Sequence, residues 1–166
     1  MRIVKRLAIA AGSAFAAAGL AIAAAPTASA VPGGPTLTAA AVPVYQIPAI
    51  GLQVSGLVVP GPLLLSVNAS SQSPGNTTFS APARPETCSS SAAGSLVRIN
   101  FVNLSTGTAG STTVKPCPYY LNPTPVQSTV HTGSGPVAIT VSITGSWAYP
   151  NAGQPSLPGF GGFVAP

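Results

Sequence analysis

Residues 135–145 read GPVAITVSITG, with Val137, Ile139, Val141 and Ile143 on one face and Ala138, Thr140, Ser142 and Thr144 on the other. Strict alternation of β-branched residues with small polar ones has period two, which predicts a strand with one side in a core. No charge occurs anywhere in the stretch. Its hydroxyl side therefore meets either water or a neutral surface, because charged groups laid against it would be desolvated with nothing to offset the cost. A long apolar strand without a charged residue or an interior proline invites unwanted pairing at a sheet edge, so its expected place is central in a sheet or beneath a partner.

The same period recurs along the chain. Leu63, Leu65 and Val67 share one face, and residues 52–59 and 63–69 predict a hairpin that turns at Pro60-Gly61. Residues 77–81 predict a short strand, after which Pro82 and Pro85 exclude a central one. In residues 96–104, Val97, Ile99 and Phe101 alternate with Arg98 and Asn100, and the turn-rich 105–110 leads into a second hairpin strand at 112–115. A third hairpin is expected between 126–132 and 135–145 across Gly133-Ser134-Gly135. No helical period follows residue 30. Six or seven short strands spaced by turn residues predict an all-β fold, a single antiparallel β-sandwich of immunoglobulin-like type over residues 51–150. Residues 31–50 read as an extended or mobile Pro/Ala-rich lead-in, and 151–166 as a Gly/Pro-rich tail.

The first thirty residues stand apart. Arg2, Lys5 and Arg6 precede an apolar, alanine-rich run at 7–25, and Ala28-Ser29-Ala30 follows, which is the layout of a secretory signal peptide cut after Ala30. With this leader, MRIVKRLAIAAGSAFAAAGLAIAAAPTASA, and a charge-poor Ser/Thr/Pro/Gly-rich remainder, the chain resembles small Sec-secreted proteins of unknown function from actinobacteria. The resemblance implies an extracellular or cell-wall setting, with the membrane met only through the cleaved leader, and implies no activity. In such an oxidising compartment Cys88 and Cys117, the only two cysteines, predict one disulfide.

Charge removes further functions. Beyond residue 30 the charged residues are Arg84, Arg98, Lys115 and Glu86, a net charge of +2. That is no basic patch for nucleic acid. Paired-carboxylate hydrolysis needs two acids and Glu86 is alone. Metal sites need several ligands, and His131 is the single histidine, so no metal and no cofactor is expected. A serine hydrolase using His131, oriented by Glu86, is an alternative, but no G-x-S-x-G nucleophile elbow occurs. The expected reading is no enzyme.

The aromatic residues are the remaining informative class. Tyr119, Tyr120, Trp147 and Tyr149 follow predicted strand ends. They either plug the open end of the core, form a stacking platform for a sugar or a partner protein, or make the interfacial girdle of a small outer-membrane-type β-barrel. Most runs are shorter than the nine to eleven residues a barrel strand needs. Phe160 and Phe163, among Pro158, Gly159, Gly161 and Gly162, are expected on a poorly ordered tail as weak anchors for a partner. The expected role is a secreted, non-catalytic binding or structural module whose partner is neutral cell-wall glycan or another envelope protein. Amino-terminal sequencing of the secreted protein is expected to begin at Val31, and retention of residues 7–25 would mean a membrane anchor instead.

Overall fold

The computed structural model describes residues 39–56 and 58–166. The expected signal peptide, 1–30, and residues 31–38 of the expected lead-in lie outside the described residues. The strands in chain order are β1 (Ala40–Val42), β2 (Tyr45–Ile47), β3 (Ala49–Val54), β4 (Pro60–Leu65), β5 (Asn68–Ser73), β6 (Asn76–Ser80), β7 (Ser95–Asn103), β8 (Ala109–Val114), β9 (Gln127–His131), β10 (Gly135–Gly145) and β11 (Gly159–Ala165). One helical turn, α1 (Pro85–Cys88), interrupts them, where a wholly non-helical chain was expected. Pro85 starts it without losing a hydrogen bond, since the first N–H of a helix has no partner within it.

One sheet has the order β1-β5-β6-β9 and a second the order β2-β11-β10-β7-β8, while β3 and β4 pair separately. All pairings are antiparallel, and the sheets are not closed into a barrel. The two larger sheets share one core. Phe79 on β6 lies 6.2 Å from the Phe101 ring on β7 and 5.7 Å, edge-on, from the Phe163 ring on β11. Val97 and Ile99, the inward row of β10, and Leu63, Leu65 and Val67 complete it. Alternation in β7 and β10 thus sets their inward faces as expected, and β10 occupies the middle of its five-stranded sheet.

Four expectations need correction. The first hairpin turns ahead of Pro60, where the Val58 amide donates to the Ser55 carbonyl at 2.8 Å, and Pro60 and Gly61 lie inside β4. Pro60 and Pro62 sit two apart, so both missing N–H groups fall on the same edge of a strand that has a single partner. Residues 133–135 do not close a hairpin: β9 pairs with β6 and β10 pairs with β7 and β11, so this connection passes from one sheet to the other. Gly133 and Gly135 take φ of 70° and 113°, a region that favours glycine, to make the crossing.

The described part of the lead-in is extended, as one of its two readings had it, but it belongs to the sheets and does not merely precede them, for it contributes β1, β2 and the start of β3. The Gly/Pro-rich tail is likewise no loose appendage. Its β11 lies between β2 and β10, registered with β10 from Gly135↔Ala165 to Val141↔Gly159. Ring burial alone would not offset the ordering of so many glycines, but the tail also gains a hydrogen-bonded ladder on both sides. Its glycines serve close approach: a Cβ on Gly161 would stand 2.7 Å from the Cβ of Gln46, and one on Gly159 2.5 Å from the Ala49 nitrogen.

Phe163 is 5% exposed and Phe160 55%. Phe163→Ala is expected to cost about 3 to 5 kcal/mol of stability and Phe160→Ala about 1 kcal/mol or less, measured by urea unfolding followed by circular dichroism. Equal, small losses would return both rings to a dispensable tail.

Candidate functional site

Three connections meet at one end of the molecule: α1 and the turns leading into β7, the loop from β8 to β9, and the loop from β10 to β11. The Cys88–Cys117 disulfide joins the first two, with a Cα–Cα distance of 5.5 Å. It constrains a separation of 29 residues that contains the whole β7–β8 hairpin. In the chain-entropy model such a closure stabilises by roughly 3 to 4 kcal/mol.

The third connection is bound to the others by the aromatic residues. The Tyr120 and Tyr149 rings meet edge to face at 5.9 Å, and the Tyr120 hydroxyl lies 3.3 Å from Ser146 Oγ. Ser146 in turn donates its backbone N–H to the Gly94 carbonyl at 3.1 Å and accepts the Tyr149 N–H on its own carbonyl at 3.1 Å. Lys115 Nζ donates to the carbonyls of Tyr120 and Asn122 at 3.1 and 3.0 Å, so this cation is engaged in holding the loop. Beside the disulfide lies a cleft of about 510 Å³ whose walls include Pro85, Ala93, Pro118, Tyr119 and Tyr120. No charged side chain lines it.

The structure thus brings Tyr119, Tyr120, Trp147 and Tyr149 to one end, and divides them by role. Tyr120 is half-buried, against Tyr149, Ser146 and Gly94. Tyr119 and Trp147 are 95% and 96% exposed, and Tyr149 is exposed on the outer side of its contact with Tyr120. Phe160 and Phe163 do not join them. Phe163 is in the core, which overturns its expected role as an anchor, and Phe160 stands on the outer face of the five-stranded sheet.

His131 is exposed at the end of β9, opposite Asn76 at the start of β6, whereas Glu86 follows the other end of β6. The two are not brought together, and Glu86 does not orient the imidazole. Among the described residues no group of three or more His, Cys, Asp or Glu side chains is placed to hold a metal ion.

Two polar residues that organise the fold escaped the sequence reading. Asn103, fully buried, donates from Nδ2 to the Thr132 and Ser134 carbonyls at 2.9 and 3.0 Å and accepts on Oδ1 from the Ser105 and Thr106 N–H groups at 2.9 and 3.0 Å. Gln46 grips both backbone groups of Val67, donating to its carbonyl at 2.7 Å and accepting its N–H at 2.9 Å. An Asn ending an alternating strand and a Gln between two apolar residues are the only cues in the chain, and both resemble ordinary surface residues.

Cys88→Ser is expected to lower stability by about 2 to 5 kcal/mol and to raise protease cleavage in residues 115–126, read by limited proteolysis with mass spectrometry. An unchanged denaturation midpoint would show that the end is held without the disulfide. No protein-family model, curated protein or solved structure matches the chain.

Proposed function

We propose that the mature protein is a secreted, non-catalytic β-sandwich that binds a neutral partner at the bacterial envelope, cell-wall glycan foremost, through its aromatic end. The carrying observation is the near-complete exposure of Tyr119 and Trp147 on an end braced by the disulfide and by the Tyr120–Tyr149 contact. Exposed rings on a fixed support offer flat apolar faces to the C–H faces of sugars, and Tyr and Trp add hydrogen-bonding edges. The charge-free cleft beside them suits an uncharged ligand, which would gain nothing from ionic partners and costs little to desolvate.

The secreted setting is supported by the disulfide, which persists in oxidising compartments, and by the leader-like first thirty residues. No helix of the described residues is long and apolar enough to cross a membrane. The immunoglobulin-like type is supported by strand order: β6 neighbours β9, and β7, β10 and β11 are contiguous, as strands B and E and strands C, F and G are in that fold. Two hallmarks of antibody domains are missing, because the disulfide joins α1 to the loop after β8 and Trp147 lies outside the core.

The test is co-sedimentation of the purified mature protein with insoluble cell-wall glycan stripped of protein and anionic polymer. Retention is expected, falling at least about tenfold in affinity in Trp147→Ala and Tyr119→Ala with the thermal midpoint unchanged. Equal retention of wild type and both variants would dismiss the aromatic end as the binding surface.

A further inference from the structure

The outer face of the five-stranded sheet carries a second surface. Reading across it, Tyr45 on β2 lies opposite Gly162 on β11, which lies opposite Ala138 on β10, which lies opposite Val102 on β7. One row over, Ile47, Phe160, Thr140 and Asn100 follow one another. On the other side Val164 faces Pro136, whose carbonyl accepts the Leu104 N–H at 2.8 Å. The hydroxyl side of residues 135–145 thus ends in apolar ground. No described element covers it.

Tyr45, Ile47, Val102, Leu104, Phe160 and Val164 are between 44% and 80% exposed. Together they present several hundred Å² of largely apolar surface, on the scale of the largest patch of an ordinary monomer, which is often functional, and comparable with the roughly 800 Å² that each partner contributes to a standard interface. The relief matters as much as the area. Pro43, Tyr45, Leu104, Pro136 and Val164 rim a groove of about 440 Å³ whose lining also includes Gly162 and Ala138. A Cβ on Gly162 would meet nothing nearer than the Val137 carbonyl oxygen, at 3.1 Å, so the groove is open there because the residue is small.

We infer that this face pairs with the same face of a second copy, forming a two-fold dimer in which Tyr45 of each protomer enters the groove of the other. A self-complementary interface needs a ridge and a groove on one patch, and this patch has both. Arg98 is the one charged residue on the face, opposite Ser142 and away from the groove, so two copies meet without opposing charges over the apolar area. Aliphatic side chains outnumber rings here, which suits packing between proteins better than stacking on sugars. Thr140, Asn100 and Ser111, continuing the row from Phe160, supply a polar rim. Edge-to-edge addition is disfavoured on this side, because β2 is three residues long and bounded by Pro43 and Pro48. Pairing is therefore face to face.

Sedimentation equilibrium of the mature protein, without detergent, tests this. The expected result is a dimer whose dissociation constant rises at least about tenfold in Val164→Glu and in Tyr45→Lys, while Leu64→Glu, an exposed apolar site on β4, leaves it unchanged. Circular dichroism of each variant checks that it is folded. A wild-type protein that stays monomeric at its highest soluble concentration overturns the inference, as does a dimer that both face variants leave intact or that Leu64→Glu dissociates. A monomer that instead pellets with phosphatidylglycerol vesicles or cell-wall glycan, and loses this in Val164→Glu, overturns it by assigning the face to that surface. The aromatic-end variants are outside this patch, so failure here and failure of the glycan reading are separately visible.

Discussion

Phe79 is the contact through which the two sheets become one core. It is fully buried on β6, and its ring meets Phe101 and Phe163 from the opposite sheet. Most inward positions are Val, Ala or Ile, which reach only partway across the space of about 10 Å between packed sheets. Three rings fill the middle, and the smaller residues pack around them. One of the three comes from β11, almost the last residues of the chain, so the core is incomplete until the tail has docked. This ties stability to non-local pairing of the kind that slows folding.

A chain with so few charges closes the rest of its structure with amides and hydroxyls. Asn103 satisfies four partners at the end where β7 turns and where β9 crosses to β10, and beside it the buried hydroxyls of Thr77 and Thr132 lie 2.8 Å apart. Gln46 replaces a strand pairing by binding both backbone groups of Val67. Thr112 Oγ1 donates to Ser128 Oγ at 2.6 Å, joining β8 of one sheet to β9 of the other. These bonds are inside or at the margins of the core, where an unpaired partner would cost about 1 to 3 kcal/mol, so each acts to specify one arrangement of the sheets. Neutral groups suit this work, since buried charges would bring a larger desolvation cost.

The two candidate surfaces use the same scarcity of charge in different ways. At the aromatic end, exposed rings stand on a frame fixed by the disulfide and by Lys115, and the apolar material is presented as separate flat faces. On the outer sheet face the apolar material is contiguous and shaped into a ridge and a groove. Separate rings suit a ligand that stacks, and continuous relief suits a protein surface. The faces are compatible, because a dimer formed through the sheet leaves the loops at its end free.

The sequence by itself determined the kind of element and its inward side. Alternation in residues 95–103 and 135–145 put Val97, Ile99, Phe101 and the β10 row inside, because a two-residue period leaves one choice of buried face. It determined the disulfide as well, there being only two cysteines to pair. It determined that four rings follow strand ends, but not which of them are spare. Only the tertiary structure decided the neighbours. Period two fixes which face is buried and says nothing about which strand supplies the next ladder, so 127–131 paired with β6 and not with the strand that follows it. It also decided what the glycines were for. Gly159 and Gly161 read equally as flexible tail or as places of close approach, and the strand lying across them, with Gln46 and Ala49 where a Cβ would stand, made them the second. Phe163 became core and Phe160 surface for the same reason: burial belongs to what lies opposite a residue, which no local pattern contains.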